Sequence, residues 1–178
     1  MKLRRIVTGH DNAGRSCFIV DGTPPTAHDF VHIRGMQVAQ LWATTPVPAL
    51  PVKVVDPTTN QASILPNLGG TQFLMVAFPP DAIMQSADFD PVAAGAENRK
   101  HVPGLAERFE MDNPGMHTTD TVDYGIVLKG EISLELDDGR VVHLQTHDVV
   151  VQNGTRHAWR NHGKKPALMA FVLIGAKR

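Results

Sequence analysis

The residues of this chain that could do chemistry are two histidines and an aspartate in its C-terminal part. The stretch PGMHTTDTVDYG places His117, Thr119, Thr121 and Asp123 at alternate positions, and NGTRHAWRN carries His157. Alternate residues of a strand face the same side, so the first four would share one face. If the strand that carries His157 lies beside them, His117, Asp123 and His157 converge. Two imidazoles and one carboxylate form a metal site with open positions for substrate or oxygen.

The elements that must position these residues are short strands. Strand signals are dense from residue 116 onward, over 116–129, 131–136, 140–144, 148–152, 156–160 and 167–174. The segment EISLELDDGR alternates apolar and polar residues and then reaches DDG, a hairpin turn. Short strands at regular spacing, with few helices, predict a sandwich or a small barrel.

The residues before position 114 predict further strands and one insertion. RRIVTG and SCFIVDG flank the turn-forming HDNAGR and predict an N-terminal hairpin, and strands are expected over 35–45 and 71–80. Residues 81–113 lack alternation, and two short helices are expected near 91–97 and 104–110. A long insertion of this kind is often a lid. We therefore expect one domain over 1–178, with N-terminal strands over 1–80, a lid-like segment over 81–113 and the motif-bearing barrel over 114–178.

Two motifs in the C-terminal part resemble those of the cupin family. The first family motif has the form G…H-x-H-x-x-x-E-x-x-x-x-x-x-G, and this chain has His117-x-Thr119-x-x-x-Asp123-x-x-x-x-x-x-Gly130. The second ends P-x-G-x-x-H-x-x-x-N, and this chain has Gln152-x-Gly154-x-x-His157-x-x-x-Asn161. The resemblance implies an all-β fold: a single cupin domain of the conserved-barrel type, a double-stranded β-helix or jelly-roll barrel. N-terminal strands and a short helical lid would enlarge it.

The resemblance also implies a metal site, with two departures from the family pattern. Family members with a full site commonly hold a metal through three histidines and one glutamate. Here Thr119 replaces one histidine and the shorter Asp123 replaces the glutamate. The expected ligands are His117, Asp123 and His157, holding a divalent ion such as Fe, Mn, Ni or Zn, and Thr119 and Trp159 are expected to line the substrate pocket.

Three of these residues also have a plainer interpretation. His117 would be a polar residue at the start of a strand, and Asp123 a buried carboxylate paired with a neighbour. Trp159 would belong to the barrel core. Because a flat apolar ring suits an aromatic or conjugated ligand, Trp159 is also a candidate pocket wall.

Functions of more than one class stay open at this point. The first hypothesis is a metal-dependent enzyme acting on a small organic molecule, with a dioxygenase-like reaction first and decarboxylation or isomerisation next. The second is a metal-free barrel that binds a small ligand as a sensor or carrier, which the missing histidine favours. A third is a metal-free isomerase or cyclase that uses Asp123 or His157 as general base. The fold by itself does not fix the reaction.

Composition and charge limit the expected partners and location. The chain has 178 residues, a net charge of −1 and 20% charged residues, without a block of basic residues, so binding to nucleic acid or to an anionic membrane is not expected. Cys17 is the only cysteine, which fits a reducing compartment. No signal peptide or membrane span is recognised, and a cytoplasmic protein is expected. The family resemblance implies a homodimer, and the N-terminal hairpin is a candidate for pairing with the partner's sheet edge.

Overall fold

The structure is a computed structural model that describes residues 2–51, 55–59 and 61–178. Within these ranges the chain is mostly strand, and the all-β prediction is confirmed. The strands are β1 (Arg5–His10), β2 (Ser16–Gly22), β3 (His28–Asp29), β4 (Gln37–Thr44), β5 (Thr71–Phe78), β6 (Thr121–Lys129), β7 (Glu131–Glu135), β8 (Val141–Gln145), β9 (Val149–Asn153), β10 (Ala158–Arg160) and β11 (Ala167–Gly175). The same ranges contain one α-helix, α1 (Pro91–His101), and short 3-10 turns. Among the described residues, no helix is long and apolar enough to cross a membrane.

The described strands form three antiparallel sheets. The largest has the order β3-β4-β5-β11-β6-β9, the second has the order β10-β7-β8, and β1 pairs with β2 alone. Strands from the N-terminal part, β3 to β5, therefore lie in the same sheet as β6 and β9, which carry residues of both sequence motifs.

The inner face of the six-stranded sheet carries the core and the candidate site. Directly paired residues of neighbouring strands point to the same face. The register places one buried row across β5, β11, β6 and β9, consisting of Gln72, Leu173, Asp123 and Gln152. A neighbouring row runs from β4 to β9 and consists of Gln40, Leu74, Phe171, Gly125 and Val150. Gly125 makes room in that row, since a Cβ atom there would lie 3.2 Å from Cε1 of Phe171.

Most of the predicted strands are confirmed. The predicted hairpin is β1 and β2, and the strands expected over 35–45 and 71–80 are β4 and β5. The strand expected over 116–129 begins only at Thr121; before it, His117 makes isolated bridges to Phe109 and His157. The strand expected over 156–160 is limited to Ala158–Arg160.

The helices of the segment 81–113 were predicted less well. The first is longer than predicted, because α1 runs from Pro91 to His101. The Asp90 carboxylate accepts hydrogen bonds from the backbone N–H groups of Val92 and Ala93 and so caps its start. The second predicted helix is wrong: only a 3-10 turn forms over Ala106–Arg108. The preceding Gly104 has a φ of +83°, a left-handed conformation that cannot be part of a regular right-handed α-helix.

Candidate metal and substrate site

His117 and His157 lie next to each other inside the barrel. Their backbones exchange two hydrogen bonds, from His117 N–H to the His157 carbonyl and back, each 3.0 Å long. Their ring centroids are 4.3 Å apart, and the residues are 8% and 3% exposed. The structure thus brings together two histidines that belong to different sequence motifs.

Hydrogen bonds fix the tautomer of both imidazoles. Nδ1 of His117 lies 3.0 Å from the Gly115 carbonyl, and Nδ1 of His157 lies 3.0 Å from the Thr155 carbonyl. A carbonyl oxygen only accepts, so each Nδ1 carries the proton and each Nε2 keeps its lone pair. Burial lowers the pKa of both rings, and for His157 burial and the neighbouring His117 lower it to about 4. Both imidazoles are therefore neutral at pH 7, the form that binds metals.

Asp123 lies on the inner face of β6 and is 8% exposed. Its Oδ1 atom is buried and receives no hydrogen bond from a described residue. Burial raises the pKa of this carboxyl to about 6, while a hydrogen bond from the Thr121 hydroxyl acts in the opposite direction. A buried acceptor without a donor is costly, and a cation or a proton would compensate it.

The chemistry of these donors fits a divalent ion, although the structure does not gather all of them. Two neutral imidazoles and an unpartnered carboxylate are ligands that several divalent metals accept. In residues 2–51, 55–59 and 61–178, however, no three side chains of His, Cys, Asp or Glu are close enough together to hold an ion. The assembled part of the expected set is the pair His117 and His157.

Thr119 and Trp159, the expected pocket residues, are both placed near the imidazole pair. Thr119 is 3% exposed, and its hydroxyl oxygen lies 2.8 Å from that of Thr121, so the two hydroxyls share a hydrogen bond. The centroid of the Trp159 ring lies 6.0 Å from the ring centroid of His157 and 5.5 Å from that of Phe171. Trp159 is therefore compatible with both roles considered for it, pocket wall and barrel core: it shares the face of His157 and packs against the aromatic core.

Phe109 is a site residue that the sequence did not indicate. Its ring meets that of His117 edge to face, with 5.0 Å between the ring centroids. It belongs to the segment 81–113, and the next residue, Glu110, forms an ion pair with Arg156, which precedes His157. The only signal in the sequence is an aromatic residue shortly before the first motif, which is too common to single out.

Other motif residues shape the backbone around the site. The Asn161 side chain donates to the carbonyls of Phe78 and Lys165 and accepts from the N–H of Gly163, so it closes the turn after β10. Gly154 has a φ of +59°, and a Cβ atom there would lie 3.3 Å from the Thr119 and Thr121 carbonyl oxygens. Asn161 and Gly154 of the second motif are thus needed for chain geometry.

Two concave regions of the structure lie away from the imidazole pair. One of about 170 Å³ lies between β4, β5 and the end of α1, and one of about 600 Å³ lies among the loops that flank β4 and β5. Hydrogen-bonding chemistry and burial, rather than cavity size, identify His117 and His157 as the candidate site.

Comparisons with known proteins identify the family of this chain. Residues 110–174 match the profile of the family described as "Cupin domain". The chain is 33% identical to phomopsin biosynthesis cluster protein C' of Diaporthe leptostromiformis over 184 residues, which cover 97% of this chain and 78% of that protein. It is 40% identical to a cupin-domain-containing oxidoreductase of Hypocrea virens over 65 residues, 35% of this chain and 34% of that protein.

A solved structure gives a further likeness. The Cupin 2 conserved barrel domain protein from Salinispora arenicola aligns with 79% of this chain and 76% of its own, at 17% identity and a TM-score of 0.41. The sheet architecture and the profile match define the class of protein, an all-β barrel. The chain belongs to the cupin family.

Proposed function

We propose that this cupin is a metal-dependent oxidoreductase that acts on a small organic molecule, with a dioxygenase-like reaction as the first expectation. His117, His157 and Asp123 would hold the divalent ion, Fe, Mn, Ni or Zn. The observation that carries the proposal is the imidazole pair, in which both Nδ1 atoms donate to backbone carbonyls and both rings are neutral. The likeness to a cupin-domain-containing oxidoreductase over 65 residues supports the reaction class.

The residues around the pair would orient the ligands and exclude water. The carbonyls of Gly115 and Thr155 hold the rings so that Nε2, not Nδ1, is available. Phe109 and Trp159 would give a substrate flat apolar walls. Asp123 would hold negative charge inside the barrel, or a proton near pH 6. A bound divalent ion supplies Lewis acidity or redox chemistry. Decarboxylation or isomerisation would use the same groups.

Metal content tests this proposal directly. Protein purified without a histidine tag should carry close to one equivalent of a transition metal, measured by elemental mass spectrometry. His157→Ala and His117→Ala should lose that metal. His10→Ala, which changes an exposed histidine at the end of β1, is the matched control and should keep it. Wild-type protein that holds no metal, even after addition of each of the four ions, would overturn the proposal.

A metal-free function, binding of a small ligand as sensor or carrier, is the second candidate. Thr119 in the place of a histidine and the absence of a three-ligand group among the described residues favour it. Under this alternative, His117→Ala leaves thermal stability and ligand affinity close to those of the wild type. A large loss of either on that substitution counts against it.

We also propose that the protein is a homodimer that associates through the outer face of the six-stranded sheet. This outer apolar face consists of Phe73, Tyr124, Ile126, Leu128, Val149 and Val151, all of them 37% exposed or more. The strand register places them together, since Tyr124 pairs with Val151 and Ile126 pairs with Val149. A contiguous apolar patch of this kind usually marks an interface. Because one face would meet the same face of a second copy, two-fold symmetry closes the assembly.

A further inference from the structure

The structure assigns a second ligand site, distinct from the imidazole pair, to the cavity of about 170 Å³ between β4, β5 and the end of α1. We propose that it binds a small organic acid that also carries a hydrogen-bond donor. The cavity is lined by Gln40 and Val38 of β4, Leu74 of β5, and Lys100 and His101 of α1, among others. The lining includes neither Trp159 nor the two histidines; Leu74 is paired with Phe171, whose ring contacts that of Trp159.

Three glutamine amides form a network with one acceptor left over. Nε2 of Gln40 donates to Oε1 of Gln61 (2.9 Å) and to Oε1 of Gln72 (3.0 Å). Nε2 of Gln72 also donates to Gln61 (2.5 Å), and Nε2 of Gln61 donates to the carbonyl of Pro57. Within the described part of the chain, no group donates to Oε1 of Gln40. Gln40 is 6% exposed and lines the cavity, so a ligand there that brings a donor would meet this acceptor.

A cation on the cavity rim is left without a partner. Lys100 forms no ion pair with any carboxylate that the structure describes. Glu97, one turn earlier on α1, is fully used: its oxygens accept from the backbone N–H groups of Val31 and His32 and contact Nε2 of His28. His101 stacks on His28 with 3.4 Å between ring centroids and is held in place beside Lys100. An anionic group of a ligand would therefore find its counter-charge at Lys100.

The remaining wall and the volume limit the size of the ligand. Val38, Ile64, Leu74 and Pro103 give one side of the cavity an apolar lining. An apolar protein cavity of about 150 Å³ is enough to hold benzene. A single ring or a short branched chain thus fills the cavity, with its carboxylate at Lys100 and its donor at Gln40. A hydroxy-substituted aromatic or aliphatic acid has this combination of groups.

Binding of the three hydroxybenzoate isomers to the full chain tests the proposal. Titrations followed by ¹H–¹⁵N NMR report the side-chain amides of Gln40, Gln61 and Gln72 directly. We expect at least one isomer to shift these signals with a Kd of about 1 mM or tighter. Benzoate, which lacks the donor, should bind several-fold more weakly, and benzyl alcohol, which lacks the charge, should bind at least about tenfold more weakly.

Variants decide whether the cavity is the site. Lys100→Met should weaken binding of the best isomer about tenfold and leave binding of benzyl alcohol unchanged, because the substitution removes only the charge. Lys164→Met, at an exposed lysine of the β10–β11 loop, is the control and should bind like the wild type. Both lysines are exposed, so neither change should affect folding. Equal binding by the two variants, shifts confined to the signals of His117 and His157, or no shift with any isomer would each overturn the proposal.

Discussion

At the scale of single residues, Asp123 makes the stability of the metal-free barrel depend on pH. Burial raises its pKa to about 6, whereas an unfolded aspartate has a pKa of about 3.9. Below a pH of about 3.9 the carboxyl is protonated in both the folded and the unfolded state, so it does not lower the free energy of unfolding. As the pH rises from about 3.9 through 6, the unfolded chain binds fewer protons than the folded chain, so the free energy of unfolding falls. Above pH 6 the whole cost is present.

Asp123→Asn should therefore stabilise the metal-free protein at pH 8. We expect a gain of about 2 kcal/mol in the free energy of unfolding, which shrinks toward zero near pH 4. Urea unfolding of both proteins in the presence of a chelator, at a series of pH values, measures it. Asp120→Asn is the control: Asp120 is exposed and paired with Arg178, which lowers its pKa, so this change should give no gain. An Asp123→Asn protein no more stable than wild type at pH 8 would contradict the assignment.

At the scale of elements, Glu97 fastens α1 to the chain around β3. Burial of its carboxylate is outweighed by hydrogen bonds from the N–H groups of Val31 and His32 and by His28, and its pKa falls to about 2. A carboxyl whose folded pKa is lowered contributes stability above its unfolded pKa. That contribution is lost as the pH falls from about 4.3 toward 2. The anchor is therefore complete at neutral pH.

Replacement of Glu97 by Gln should weaken this anchor. The amide keeps the shape of the side chain but loses the charge, and hydrogen bonds to charged groups contribute more than neutral ones. We expect a loss of roughly 1–2 kcal/mol at pH 7, and faster amide hydrogen exchange in α1 than in the wild type. The difference should disappear near pH 2. Glu131→Gln, at an exposed position of β7, should change neither quantity. Unaltered exchange in α1 would show that Glu97 does not hold the helix.

The sequence predicted the elements that depend on local interactions. It missed those that depend on contacts between residues distant in the sequence. Strand alternation and turn residues are local, so β1, β2, β4, β5 and most strands after residue 120 could be placed. The spacing of the motifs also predicted that His117 and His157 meet. The start of β6 at Thr121 could not be foreseen, because the preceding residues bridge to Phe109 and His157 instead of continuing the ladder.

Contacts between distant segments account for the rest of what the sequence missed. Phe109 reaches the site because Glu110 pairs with Arg156, 46 positions away. The glutamine network joins β4, β5 and the loop between them, and Glu97 meets residues 65 to 69 positions away. No local pattern marks these partners. The role of residues 81–113 as a lid stays a prediction, and in this structure α1 is tied to β3 by Glu97.

At the scale of the whole molecule, the outer apolar face is a surface that a single copy of the chain leaves exposed to solvent. Two rows of apolar side chains cross the sheet, one through Val151, Tyr124, Val172 and Phe73 and the other through Val149, Ile126, Ala170 and Met75. Val149 and Val151 lie on β9, at the edge of the six-stranded sheet, and are 62% and 56% exposed. An exposed apolar edge strand invites pairing unless something covers it. The proposed homodimer would bury this face.

Charges placed on β9 should separate the two copies. The double change Val149→Lys and Val151→Lys adds four ammonium groups to a symmetric interface, where their burial and mutual repulsion oppose association. We expect the wild type to have twice the chain mass of 19.4 kDa in light scattering and the variant to have the mass of one chain. Val141→Lys is the control, since Val141 is 50% exposed on β8 of the other sheet. This control should stay dimeric. Because β9 side chains on this face point away from the core, the β9 variant should keep its circular dichroism spectrum. A wild type of single-chain mass, or a β9 variant that stays dimeric, would place the interface elsewhere or remove it.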